Sequence, residues 1–409
     1  MAIVINGSGT VTGLSVGGLP DGTVDAGTLA TNSVDSAELI DGAVDDSHMA
    51  SISGRKNLII NGAMRINQRG SVNTTDAGGE YALDRWETYL RGGAAATVSQ
   101  ATDVPTGQGF GNSLKIDVTT GDAFGTSNDL ALLRTKWEGQ DLQQLAYGTS
   151  SAKTLTLSFW IKSTITGTYM CSLNNNDDND RMNNRSYTIS SANTWEKKTL
   201  TFNGDTSAGT INNDNAGSIE LRFWLASGSN YNTGTLSSDG NWEAYNVANQ
   251  AVGHVNSLNS ASNNIYLTGV QLELGSTATD FEYRSYGEEL ALCQRYYHRI
   301  GGGGDTTILM TTAPSTTECA MHVQLPTVMR AKPSISWTNT GASMAFRYAG
   351  NNSTAFTPSA VNSLNLGEFT NTGGSIWFSG FNHGQTSNGA GHIRTGSGQT
   401  NYLQFDAEL

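Results

Sequence analysis

The side chains able to hold a metal or carry a proton in a reaction are scattered along this chain. His48, His254, His298, His322, His383 and His392 show no HExxH arrangement, and Cys171, Cys293 and Cys319 lie too far apart for zinc spacing. Asp177, Asp178, Asn179 and Asp180 offer the oxygens a calcium wants, yet they sit in an Asn-rich run without the Gly and closing Glu of an EF-hand. That segment reads as a solvated loop, and neither a metal nor a cofactor is expected. Glycoside hydrolysis needs two carboxylates about 5 to 9.5 Å apart. Asp84 with Glu87, or Glu220 with Glu273, are candidates that nothing selects from the other acids. There is no Gly-x-Ser-x-Gly elbow with triad partners either, so no enzymatic activity is expected.

The aromatic residues carry more. Trp160 and Trp224 fall on the polar faces of strands whose other faces are apolar, and Tyr231, Trp242 and Tyr245 follow in the next loop. Near the end, Trp377, Phe381, His383, His392 and Tyr402 stand among Gly, Ser and Asn. Sugars stack their C–H faces on rings while their hydroxyls bond Asn, Gln, Asp and Arg. Trp160, Trp224, Tyr231, Trp242, Tyr245, Trp377, Phe381, His383 and Tyr402 are therefore the expected carbohydrate-binding set. The competing reading buries these rings under a helix from Glu288 to Ile300 or under a neighbouring chain.

The elements that must position them read as β structure. Leu155, Leu157, Phe159 and Ile161 alternate with Thr156, Ser158, Trp160 and Lys162, and Ile219, Leu221, Phe223 and Leu225 alternate with Glu220, Arg222 and Trp224. Short alternating strands with few prolines predict an antiparallel sandwich. Between Ile265 and Leu274 the apolar parity switches at Gly269, which predicts a bulge. A helix is expected from Gly287 to Ile300 with a Leu290, Cys293, Tyr297, Ile300 stripe, ended by a hinge at Gly301 to Gly304. A second β domain follows, and its last strand should dock through Leu403, Phe405, Ala407 and Leu409.

The first residues behave differently. Val24, Val34 and Val44 recur every ten positions, with Leu29, Leu39 and Met49 five residues after each. Two large apolar side chains per unit cannot offset the entropy of ordering ten residues, roughly 1 to 2 kcal/mol each. Such units become stable when copies wind together, so an oligomeric stalk is expected. The division is then residues 1–55 for attachment and stalk, 56–285 for the sandwich, 286–304 for helix and hinge, and 305–409 for the terminal β domain. With 23 basic against 36 acidic residues and a net charge of −13, the chain would be repelled by nucleic acid. No segment has the apolar length of a membrane span, no signal peptide is expected, and the three cysteines read as reduced and structural.

Several motifs have a familiar form. Met1 to Gly7, Gly17 to Gly22, Asn57-Leu58-Ile59-Ile60-Asn61-Gly62, Gln68-Arg69-Gly70, Asp84-Arg85-Trp86, Gly269 to Gly275 and Thr279-Asp280-Phe281-Glu282 resemble those of bacteriophage tail fibre proteins, marine and cyanobacterial ones especially. So do Cys293 to Tyr297, Leu325-Pro326 with Met329-Arg330, and the closing Asp406 to Leu409. Residues 57–282 also resemble carbohydrate-binding modules of jelly-roll form, which implies a jelly-roll-like sandwich, although Thr268 and Gly269 stand where those modules often carry a calcium-binding acid. The resemblance implies a virion protein assembled in the host cytoplasm as a homotrimer. It would be held at its N-terminus by a tail or other virion adaptor, and would adsorb to a host polysaccharide or lipopolysaccharide without membrane insertion. The alternatives are a polysaccharide-depolymerising tailspike and a capsid or baseplate fibre without a receptor role.

Overall fold

The computed structural model describes residues 4–5, 11–12, 56–76, 78–177, 181–236, 240–301, 307–313, 315, 317–337, 344–348, 353–356, 363–365, 369–379, 389–395 and 402–409. Met1–Gly54 and Arg55–Leu409 form two separate units. In the first, β1 (Val4–Ile5) pairs antiparallel with β2 (Val11–Thr12). The ten-residue repeat lies outside the described residues.

The second unit is mainly β. Its first thirteen strands are β3 (Val72–Thr74), β4 (Gly78–Leu83), β5 (Trp86–Arg91), β6 (Ala95–Ala101), β7 (Ser113–Thr120), β8 (Leu130–Glu138), β9 (Leu155–Ser163), β10 (Gly167–Asn175), β11 (Arg181–Ile189), β12 (Glu196–Phe202), β13 (Gly217–Ser227), β14 (Glu243–Ala244) and β15 (Asn264–Leu274). They form a seven-stranded sheet, β14-β11-β10-β13-β8-β5-β4, and a six-stranded sheet, β12-β9-β15-β7-β6-β3. The alternation sets the architecture: Leu155, Leu157, Phe159 and Ile161 of one sheet meet Leu221, Phe223 and Leu225 of the other in a shared core. Phe159 is its centre, edge-on to Phe223 at 5.0 Å and to Tyr187 at 5.1 Å. The expected parity switch in β15 is a bulge between Thr268 and Gln271. Gly269 there has φ +61°, and a Cβ would lie 2.5 Å from the Phe110 ring, so only glycine fits.

After the four-residue helix α1 (Ser229–Asn232) comes α2 (Tyr286–Gln294), shorter than expected. Ser285 caps α2, accepting from the Glu288 N–H at 3.3 Å. The helix stops because Tyr297 to Gly301 form a strand, β16 (Tyr297–Gly301), so the Leu290, Cys293, Tyr297, Ile300 stripe is not helical. Aromatic and β-branched side chains there find a ready strand partner, and tertiary pairing overrides the helical spacing. The remaining strands are β17 (Thr307–Ala313), β18 (Glu318–Gln324), β19 (Ser334–Trp337), β20 (Met344–Tyr348), β21 (Ser353–Phe356), β22 (Ser363–Asn365), β23 (Gly373–Ser379), β24 (Gly389–Thr395) and β25 (Tyr402–Asp406). They build a sheet ordered β21-β20-β24-β17-β18-β23-β22 and a three-stranded sheet, β16-β25-β19. β25 docks as expected, with Leu403, Phe405 and Ala407 buried. Cys171, Cys293 and Cys319 are buried and unpaired.

A polar junction ties this C-terminal module to the sandwich. Glu138 receives Arg295 Nε and Nη2 at 2.7 and 2.6 Å and the Tyr296 hydroxyl at 2.7 Å. Arg69 bonds Asp406 at 2.8 Å and Glu408 at 3.1 Å, and Arg85 bonds Glu408. Arg330 donates to the carbonyls of Ala407 at 2.8 Å and Glu408 at 3.1 Å. The guanidinium groups of Arg69 and Arg85 lie over the Tyr297 and Tyr296 rings, each 3.5 Å from the centroid. Gln68 joins Asp84 at 2.6 Å to the Tyr297 carbonyl at 2.9 Å. Gln68-Arg69, Asp84-Arg85, Arg295 to Tyr297, Arg330 and Asp406 to Glu408, all from motifs that resemble fibre proteins, thus meet at one interface between modules. The chain leaves it through Gly301, while the glycines expected to act as a hinge, 302–304, lie outside the described residues.

Candidate functional site

The outer face of the seven-stranded sheet carries two polar rows that run across the strands. Pairing registers align Glu243, Met182, Asn174, Glu220 and Lys136 in one. The other holds Asn184, Ser172, Arg222, Arg134, Glu87 and Tyr81. Alternation explains the arrangement: Ile219, Leu221 and Phe223 take the inner face of β13, and Glu220, Arg222 and Trp224 are left on the outer one.

Two segments wall these rows into a trench. On one side lie described residues of the stretch 228–254: Arg222 Nη1 donates to Gln250 at 3.0 Å, and Asn184 donates to the Asn249 carbonyl at 3.1 Å. His254 Nδ1 anchors that stretch by accepting from Met170 N–H at 3.3 Å, and burial lowers its pKa to about 4, so the ring is neutral. On the other side, the Leu409 carbonyl oxygen accepts from Lys136 Nζ at 2.8 Å and Tyr81 Oη at 3.4 Å. Between the walls the side chains of Arg222, Arg134 and Lys136 keep 14, 17 and 20% of their surface in solvent.

An ion network forms the floor. Arg134 makes a forked pair with Glu87, 2.8 and 2.9 Å, and reaches Glu220 at 2.9 Å; Arg222 holds the other Glu220 oxygen at 2.7 Å. Burial pushes the Glu220 pKa upward, but Arg222, Arg134 and Lys136 outweigh it and hold the carboxyl below its usual range. Burial likewise opposes the Arg134 charge, and Glu87 and Glu220 more than restore it.

Behind the network, several buried polar atoms have no hydrogen-bond partner among the described residues. The donors are Asn174 Nδ2, Arg222 Nε and Gln250 Nε2, and the acceptors are Asn174 Oδ1, Asn184 Oδ1 and Glu243 Oε1. A buried group left without any partner costs about 1–3 kcal/mol. A phosphate could satisfy only the donors and an ammonium only the acceptors. Water or a ligand hydroxyl, which both donate and accept, suits a set of both kinds.

The aromatic set expected from sequence does not assemble. Trp224 does leave the sandwich core, but it is only 1% exposed, because Tyr231 from α1 packs on it at 5.4 Å and its Nε1 bonds Ser172 at 3.1 Å. Tyr231 is itself buried and bonded to Arg91. Trp242 is buried against Tyr147 at 5.4 Å, with Nε1 on the Asn203 carbonyl at 2.8 Å. These three rings are corrected from exposed to covered: Trp224 and Tyr231 pack on each other, and Trp242 packs into the sandwich core beside Tyr147. Trp160 is half-buried on the outer face of the opposite sheet, in register between Lys197 and Thr268. Tyr245 is exposed beyond β14, and Trp377 is exposed beside Ala320. Tyr402 lies under Arg299 at 4.9 Å. Phe381 and His383 lie outside the described residues. Of the carboxylate pairs, Glu220 and Glu273 stand on different sheets. Asp84 is buried, held by Gln68 N–H at 2.8 Å, with burial raising its pKa.

Among the described residues no group of three or more His, Cys, Asp or Glu is placed to hold a metal ion, and no described helix is long and apolar enough to cross a membrane. No family model matches the chain, and no curated protein matches it. Among solved structures, it is similar to the enzymatically active domain of tailspike protein 4 of bacteriophage CBA120, with 17% identity over 54% of this chain and 21% of that one and a TM-score of 0.29. It is also similar to a putative sugar binding protein from Bacteroides thetaiotaomicron, at 13% identity over 54% of this chain and 100% of that one, TM-score 0.28. A third likeness is to the family 11 carbohydrate-binding module of a Clostridium thermocellum cellulase, at 16% identity over 51% and 97%, TM-score 0.26. The chain spans about a fifth of the length of the tailspike chain.

Proposed function

We propose that this chain is a glycan-binding subunit of a virion fibre and that the trench is its sugar site. The observation that carries the binding role is the set of amide and guanidinium groups on Asn174, Gln250, Arg222 and Arg134, which are of the kind that bond sugar hydroxyls. Support for the fibre role comes from the sequence motifs. With it go a homotrimer, an N-terminal virion adaptor and adsorption to a host polysaccharide or lipopolysaccharide. Three equivalent sites would raise weak single contacts through effective concentration.

Purified full-length chain applied to an array of bacterial surface glycans should bind at least one of them. An Asn174→Leu, Gln250→Leu double variant should lose about tenfold or more of that affinity. An array on which the wild-type chain binds nothing, or a folded double variant that binds like the wild type, rejects the reading.

A further inference from the structure

We infer that the outer face of the six-stranded sheet carries a second glycan site, a shallow platform built on Trp195 and Tyr266 that takes uncharged hexose units. It stands independently of the trench, which lies on the other sheet. In register, Lys162 of β9 lies beside Tyr266 of β15, and Tyr266 beside Lys115 of β7 and then Ser99 of β6. Trp195, one residue before β12, completes this row at its other end. Its ring is 6.2 Å from that of Tyr266, at 64°, and Lys162 Nζ reaches both, 5.4 Å from the Trp195 centroid and 4.4 Å from the Tyr266 centroid. Both rings are half-buried, so each shows part of its surface to solvent. Trp160, two residues before Lys162 on β9, extends the aromatic surface by one row.

The loop of residues 102–112 fixes this geometry. Asp103 accepts from Trp195 Nε1 at 3.0 Å and pairs with Lys162, while its carbonyl accepts from the Ser113 hydroxyl at 2.6 Å. Farther along the loop, the Phe110 ring packs on Phe281 at 5.1 Å, and the Gln108 carbonyl accepts from the Tyr283 hydroxyl at 2.5 Å. Rings held in this way lose little freedom when a ligand stacks on them. The charges in the row cancel: Lys162 pairs with Asp103, and Lys115 with Asp117 at 3.0 Å, so neither an anion nor a cation is drawn to it. Asp103 and Asp117 still keep 46 and 42% of their side-chain surface in solvent, and the bond from Lys162 holds the Asp103 carboxyl below its usual range. A neutral hexose fits this surface, because its C–H face stacks on the rings while its hydroxyls donate to the two carboxylates. A protein partner would need a continuous apolar patch, and here charged heads interrupt the rings.

The test is calorimetric titration of the full-length chain with neutral glucan, mannan and galactan oligosaccharides. At least one should bind, and a Trp195→Ala, Tyr266→Ala double variant should bind it about tenfold or more weakly. The Asn174→Leu, Gln250→Leu variant should keep wild-type affinity for it. In the wild-type chain, where no variant has to fold, mass spectrometry should find Trp195 protected from oxidation by N-bromosuccinimide once that oligosaccharide is bound, with Trp224, 1% exposed, unreacted throughout. Binding to none of the three series, wild-type affinity in a folded platform variant, or Trp195 oxidised equally with and without sugar overturns the inference. Binding lost in the trench variant alone removes the second site and leaves the trench standing. Binding lost in the platform variant alone supports the platform and removes the trench as the site for that sugar.

Discussion

Arg85 and Arg222 are both buried among carboxylates, one in the junction with the C-terminal module and one in the trench. Around Arg85 every carboxylate is engaged, and the two nitrogens left over, Nε of Arg69 and of Arg85, belong to guanidinium groups lying over the Tyr297 and Tyr296 rings. Around Arg222, by contrast, amide donors, amide acceptors and a carboxylate oxygen have no partner among the described residues. The two regions use the same residue types, so composition cannot tell scaffold from site. Completion of the hydrogen bonds separates them: a closed network fixes one arrangement, and a set of both polarities is completed by water or by a ligand hydroxyl.

The contrast can be broken first at the junction. Arg85→Ala leaves Glu408 buried and unpaired and should cost about 3–5 kcal/mol of unfolding free energy, read by denaturant titration. A loss under about 1 kcal/mol would mean that the junction is not a scaffold. A smaller, pH-dependent effect is expected at Glu138. Burial raises its pKa, but Arg295, Tyr296 and Gln140 bring it below the ordinary carboxylate value. Its stabilisation is therefore present above the unfolded value of about 4.3 and lost as pH falls through the lower folded one. Glu138→Gln should flatten the acid limb of the stability curve, and an unchanged limb would contradict the pairing. The smallest loss of stability is expected in the trench. Asn174→Leu removes two polar atoms that lack a partner among the described residues and should leave stability unchanged or raise it by up to about 3 kcal/mol. A loss of 3 kcal/mol or more, on the scale of a broken buried network, would show Asn174 to be scaffold after all.

Strand pattern was open to reading because burial on one face imposes alternation, and Leu155 to Ile161, Ile219 to Leu225 and the Gly269 bulge all follow it. Alternation also places Trp224 correctly on the outer side. It says nothing about a later segment folding back over that side, as Tyr231 does over Trp224. The α2 boundary was misread because Tyr297 and Ile300 fit a helical stripe equally well until β25 offers them a pairing edge. For the trench, one signal was present: Glu220 and Arg222 are charges on a strand otherwise apolar. Their partners Arg134, Asn174, Asn184 and Gln250 come from distant parts of the chain, and no local motif connects them.

β25 has a mechanical consequence. It is hydrogen-bonded along both edges, to β16 and to β19, and its continuation is gripped by Arg69, Arg85 and Arg330. A tug or twist on those three strands is therefore shared among many bonds instead of being absorbed by slack. It would travel along the backbone to Leu409, whose main-chain oxygen rests on Lys136 and Tyr81 of the sandwich, and tension on the C-terminal module would register there.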